Sequence, residues 1–241
     1  MFNKNYTFIA FLSIFLLCSA FSEPVNKSYP TKDGFTITMS DTWMPIPKNV
    51  LNAYTKALQQ FAPNMEKQVY DYGFQLASNK NWLTYPYILI QVKNTGKVPE
   101  KELKNLTKFQ QQVELGASNA SEALGKTISV LSSGDTVYDE ALHIVYSIVN
   151  LDVQQAGKVK ALISMIMTNQ GSINLYGYAL ESEFDQYSTF YMDVARNVQI
   201  DEIFRYTTGP KIRWDYFLIG WIIIVGIVFF MRRKGLLKPR S

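Results

Sequence analysis

The residues that could do chemistry in this chain of 241 are few, and their spacing suits structure better than catalysis. His143 is the single histidine and Cys18 the single cysteine. His143 opens an apolar run in which Val145, Ser147 and Val149 share its face, the setting of a structural or strand-edge histidine. One histidine cannot build a two-histidine metal site, and neither an H-E-x-x-H helix nor an EF-hand loop occurs. There is no G-x-S-x-G elbow and no phosphate-binding glycine loop. The neighbouring carboxylates Asp139 and Glu140 would point to opposite faces of a strand, which is wrong for a local acid/base pair. Asp201 and Glu202 read as solvated surface. The sequence therefore predicts no catalytic residue, no metal and no cofactor, and a chain that is not an enzyme.

Charge placement narrows the partners. The formal net charge is +4, but all 20 acids lie between Glu23 and Asp215 while five bases fall in the last ten residues. Without Lys4 and that tail, 18 bases face 20 acids. A slightly acidic body lacks the cationic surface that phosphate backbones require, so nucleic acid is excluded as a partner. At 47% hydrophobic and 18% charged, the chain is too apolar for disorder.

The two ends read as membrane signals. Residues 1–22 form a signal peptide: Lys4 is followed by the apolar run Phe8–Leu17, and Ala20 and Ser22 place small side chains before a cut at Glu23. Ten apolar residues are too few to span a bilayer. Leu17 before Cys18 argues against a lipoprotein site, so the mature chain carries no cysteine and no disulfide. Residues 216–231 are different in kind. They are uncharged and mostly apolar, and as a helix they cover about 24 Å, enough for a thin bilayer. Trp214, Tyr216 and Trp221 supply aromatic anchors, and Arg232, Arg233 and Lys234 close the far end. The five bases after the span place residues 232–241 in the cytoplasm and the body outside, in a bacterium facing the periplasm. Membrane lipid is thus an expected partner of the C-terminal helix. Residues 206–215, with Thr207-Thr208-Gly209-Pro210, read as the juxtamembrane linker.

Residues 23–205 must position whatever the protein uses. After a polar lead, Phe35–Ser40 alternates as a half-buried strand. Asp41–Trp43 turns the chain, and Pro47 opens a helix with Val50, Tyr54, Leu58 and Phe61 on one face. Strands are predicted near Tyr70–Ala77 and Tyr87–Val92. Pro99 starts a second helix, with Leu103, Leu106, Phe109 and Val113 buried and Gly116 as its C-cap. A strand at Thr127–Ser132 precedes three stronger ones, His143–Leu151, Val159–Thr168 and Ile173–Leu180, the last two joined by a hairpin loop at Asn169–Ser172. Both alternating sets in these strands are apolar, as for a sheet covered on both faces. Ser182-x-x-Asp185 starts a third helix with Phe184, Tyr187, Tyr191, Val194 and Val198 along one side.

The segment Gly34-Phe35-x-Ile37-x-Met39-x-x-x-Trp43-x-x-Ile46-Pro47 resembles the opening segment of the PsbP/Mog1-like superfamily, with Ser40-Asp41 where a proline is more usual. The resemblance implies an α+β fold, an antiparallel sheet of about six strands packed with three helices. It transfers no catalytic residues, because the superfamily shares a fold and not an activity. The reading that follows is a non-enzymatic, membrane-anchored exported module, acting as an interaction or accessory domain for an unidentified protein partner. The alternative is a small-ligand or lipid-binding module. An enzyme assembled from dispersed carboxylates and His143 ranks third. A deep cavity would favour the ligand, a flat apolar patch the interaction, and acids clustered around His143 the enzyme.

Overall fold

A computed structural model describes residues 25–208, apart from 62, 64–66, 125–127 and 155. The signal peptide, the linker beyond 208, the span 216–231, the basic tail and the anchor residues Trp214 to Lys234 lie outside the described residues. Among those described, no helix is long and apolar enough to cross a membrane.

The described chain is α+β, built on two antiparallel sheets. The large sheet has seven strands: β3 (Trp43–Pro45), β4 (Tyr72–Leu76), β5 (Tyr87–Lys93), β9 (Ser172–Leu180), β8 (Gly157–Met167), β7 (Ile144–Val153) and β6 (Ile128–Asp139), in that spatial order. The small sheet sets β2 (Phe35–Ser40) between β1 (Asn26–Pro30) and β10 (Gln199–Ile200), so it joins both ends of the domain. The helices are α1 (Lys48–Phe61), α2 (Glu100–Leu103), α3 (Leu106–Leu124) and α4 (Phe184–Arg196).

Alternation along the strands assigns each face. Phe74, Ile88, Ile90, Ile173, Leu175, Leu162, Ile166 and Ile144 bury one face of the large sheet against α4 and against Phe35, Ile37 and Met39 of β2. Each of these side chains is at most 3% exposed, the density expected of a main core. Gly177 of β9 lets α4 approach: a Cβ there would lie 2.4 Å from the ring of Tyr191. The opposite face is covered in two pieces. α1 lies over Tyr87 and Leu89 with Leu51 as its most buried side chain. Leu103 of α2 packs with Val145 and Met167, and Phe109 of α3 joins them. Between these covers Ile163, Met165, Tyr176 and Tyr178 are only half-buried, so this face of the central strands is less completely covered than the prediction required.

Several boundaries differ from the sequence reading. The sheet has seven strands, not about six, and a second sheet accompanies it. β3 and β10, at three and two residues, are too short to show alternation, and β1 is exposed at four of its five positions, so it has no apolar period to read. Trp43 pairs with Leu76 inside β3 instead of turning the chain. The second helix is broken at Lys104–Asn105, where Lys108 N–H is accepted by the Asn105 side chain, and it runs through Gly116 to Leu124. Glu183, not Ser182, is the N-cap of α4, without a side-chain cap bond.

Candidate functional site

Two hairpin connections at one end of the large sheet, β6–β7 and β8–β9, lie near the end of α4, and the cleft forms there. β7 begins where β8 ends, so Ile144 pairs with Ile166, and the β6–β7 turn stands beside the β8–β9 turn. The chain then returns from α4 through β10, and a bridge from Arg205 to Thr168 ties it to the same end. Tyr206 is 6% exposed and donates its hydroxyl to the Val98 carbonyl at 2.7 Å. Asn169 Oδ1 accepts from the Thr207 N–H, so the packed body continues past Arg205. The half-open cleft enclosed here has a volume of about 690 Å³. That is within the range of small-ligand sites.

Its lining separates by chemistry. Ile144, Ile166, Ala195, Val198 and Ile200 supply apolar wall, while His143, Arg196, Asp201, Arg205 and Tyr206 supply polar groups. His143 is the residue the sequence singled out. It precedes β7 in place of beginning it, in a left-handed turn at φ 53° that histidine tolerates better than most residues. The turn is set by Asp139, whose Oδ1 accepts the N–H groups of Ala141 and Leu142. The hydroxyl of Tyr138 lies 2.9 Å from His143 Nδ1, and the ring of Tyr206 is 4.6 Å from the imidazole, centre to centre. Burial, with Tyr206 and the acids Glu100, Glu140 and Asp139 adding repulsion, pushes the Tyr138 phenol up to about 12. It is a neutral hydrogen-bond partner near pH 7, not a proton acceptor.

The charges of the cleft come from residues that sequence reasoning passed over. Arg196 closes α4, where a cation suits the negative end of the helix dipole, and Asp193 lies 3.7 Å away in an exposed pair. Among the described residues no carboxylate forms an ion pair with Arg205. Asp201 is the one acid of the lining and donates its backbone N–H to Gly34 O. Glu140 turns outward to Lys104 at 3.5 Å. Asp139 and Glu140 therefore do not act as a pair. Arg196 and Arg205 had no readable signal, because their place in one cleft depends on how residues 197–206 fold back to Thr168.

A second feature is the tyrosine cluster beneath α1. Tyr54, Tyr70, Tyr87, Tyr176 and Tyr178 stack edge-to-face or tilted, with Tyr87 and Tyr178 centred 5.0 Å apart. Burial pushes these phenols up, Tyr54 to about 12. Tyr176 donates to Gln91 Oε1 at 3.3 Å, and Gln91 in turn donates to the Val69 carbonyl. The cluster is neutral near pH 7, and among the described residues Tyr176 is bonded to an amide, not to a histidine or a carboxylate. Among the described residues no group of three or more His, Cys, Asp and Glu could hold a metal.

No protein-family model matches this chain, and no curated protein does. Among solved structures it is similar to cyanobacterial PsbP (CyanoP) from Synechocystis sp. PCC 6803, at 12% identity and a TM-score of 0.47, over 76% of this chain and 96% of that one. Nothing about function follows from that likeness.

Proposed function

We propose that the protein is a non-enzymatic exported module that works by binding, held at the outer face of a membrane by its C-terminal apolar segment. The observation that supports binding over chemistry is the environment of His143. Its Nδ1 faces a phenol with a pKa near 12, and its ring packs against Tyr206. That arrangement orients an imidazole without recruiting it to a nucleophile. The favoured role is an interaction or accessory domain for a protein partner, and the exposed apolar side chains beside the cleft fit it: Ile203 is 77% exposed and Leu142 44%.

The cleft favours the second reading, a small-ligand or lipid-binding module, since it is roomy and both apolar and charged. Crosslinking in intact membranes followed by affinity recovery tests the first reading. A partner whose capture depends on Leu142 and Ile203 supports it. Capture that survives Leu142→Asp and Ile203→Asp together, in a folded chain, counts against this face. Alkaline extraction tests the anchor separately, because a chain released from membranes by alkali is not integral.

A further inference from the structure

We infer that the cleft between the end of α4 and the β6–β7 turn binds a small amphipathic anion, a carboxylate or phosphate head carrying a short apolar tail. This deepens the ligand-binding reading and rests on it. Three observations carry it. The volume of about 690 Å³ suits a small organic molecule, too roomy for a lone ion. The half-buried Val198 and Ile200, with the exposed Leu142, offer the tail an apolar surface above the packed side chains of Ile144 and Ile166. The lining then sets two guanidinium groups, Arg196 and Arg205, against one carboxylate, Asp201. An uncompensated cation at the edge of an apolar wall is satisfied by a ligand anion.

The kind of cation matters. A guanidinium presents a planar fork of donors that matches carboxylate and phosphate oxygens bidentately, and it sheds water more readily than an ammonium. Arg196 is partly committed to Asp193 through an exposed contact that competes weakly with a ligand. Arg205 makes no such contact among the described residues, and its backbone is fixed by the bridge to Thr168 and by bonds to Asp201 and Glu202. Arg205 is therefore the main head-group ligand and Arg196 its second. His143 and Tyr206 border the head-group end, with their orientation held by Tyr138 and Val98.

The test uses the full chain in nanodiscs and water-soluble probes: hexanoate, hexyl phosphate and hexanol. Labelling the methionine methyl groups with ¹³C places a reporter at Met167, buried but packed with the cleft residue Tyr206 and assigned by Met167→Leu, and a control at Met39 in the main core. Hexanoate and hexyl phosphate should shift the Met167 signal saturably, with a Kd on the order of 1 mM, and leave Met39 unmoved. Hexanol should bind at least about tenfold more weakly, and Arg205→Gln should weaken the two anions to the same degree while leaving the spectrum of the free protein intact. Whichever anion binds tighter identifies the head group. No saturable shift at Met167, hexanol equal to hexanoate, or an unchanged Kd in a folded Arg205→Gln/Arg196→Gln chain each overturns the inference. Conversion of a probe would sink the non-enzymatic reading instead, and release of the chain by alkali would sink the anchor alone.

Discussion

Gly177 is where the main core can be tested most sharply. A Cβ at this position would lie 2.4 Å from two ring atoms of Tyr191, and Tyr191 cannot swing away easily. It is 3% exposed, donates to the Tyr178 carbonyl at 2.8 Å and sits edge-on to Trp43. Gly177→Ala must therefore shift α4 or force the ring off its rotamer, an overpacking cost of about 1–3 kcal/mol. For a domain of this size that lowers the melting temperature by about 2–12 °C. Without the ring the sign should change. A strand glycine replaced by alanine gains about 0.5–1 kcal/mol from the chain entropy no longer lost on folding. In a Tyr191→Leu background, itself destabilised, Gly177→Ala should then be neutral or stabilising, a coupling of at least about 1 kcal/mol. Thermal melting of the four chains by near-ultraviolet circular dichroism closes the cycle. A Gly177→Ala chain that melts with the parent, or two substitutions whose effects simply add, would refute the close approach of α4 to β9.

Other expectations are shorter. The tyrosine cluster should limit alkaline stability. Tyr54 titrates at about 12 in the folded domain against about 10 in the unfolded chain, so its contribution is whole below pH 10 and is lost as pH rises through 12, and Tyr54→Phe should flatten that decline in a pH series of melts. His143→Asn should keep the fold, since asparagine also tolerates a left-handed turn, whereas His143→Val should cost about 1–2 kcal/mol in a denaturant melt. The fragment 23–205 should be soluble and monomeric but less stable than 23–208, because it lacks Tyr206 and its bond to Val98; equal melting temperatures would contradict that docking. In sealed spheroplasts a cysteine at Ser241 should resist an impermeant thiol reagent until the membrane is opened, and labelling beforehand would reverse the orientation.

The sequence carried the fold where periodicity was long and local. β7, β8 and β9 run nine to eleven residues, and their alternation was plain enough to place each within two residues of its observed limits. α1 was found from its stripe, yet the stripe was centred on Val50 and Tyr54 while Leu51 and Thr55 are the buried pair. A helical wheel with apolar residues on two adjacent rows cannot say which row meets the sheet. The candidate site was less legible still. Lone charged residues such as Arg196 and Arg205 have no period, and they line one cleft only because β10 pairs with β2 and the chain returns to Thr168. His143 was visible as a residue, but its left-handed turn depends on the two N–H groups gathered by Asp139.

The bridge between Arg205 and Thr168 also has a mechanical consequence. Tension applied from the C-terminal side would first meet Tyr206 and Thr207, which are fastened to Val98 and Asn169, and only then the two-residue strand β10. Those fastenings belong to the loops of β5 and β9, near the middle of the seven-stranded sheet. A pull would thus load several strands together before it could peel β10 from β2. The weakest strand of the domain is shielded from the force it would otherwise bear first.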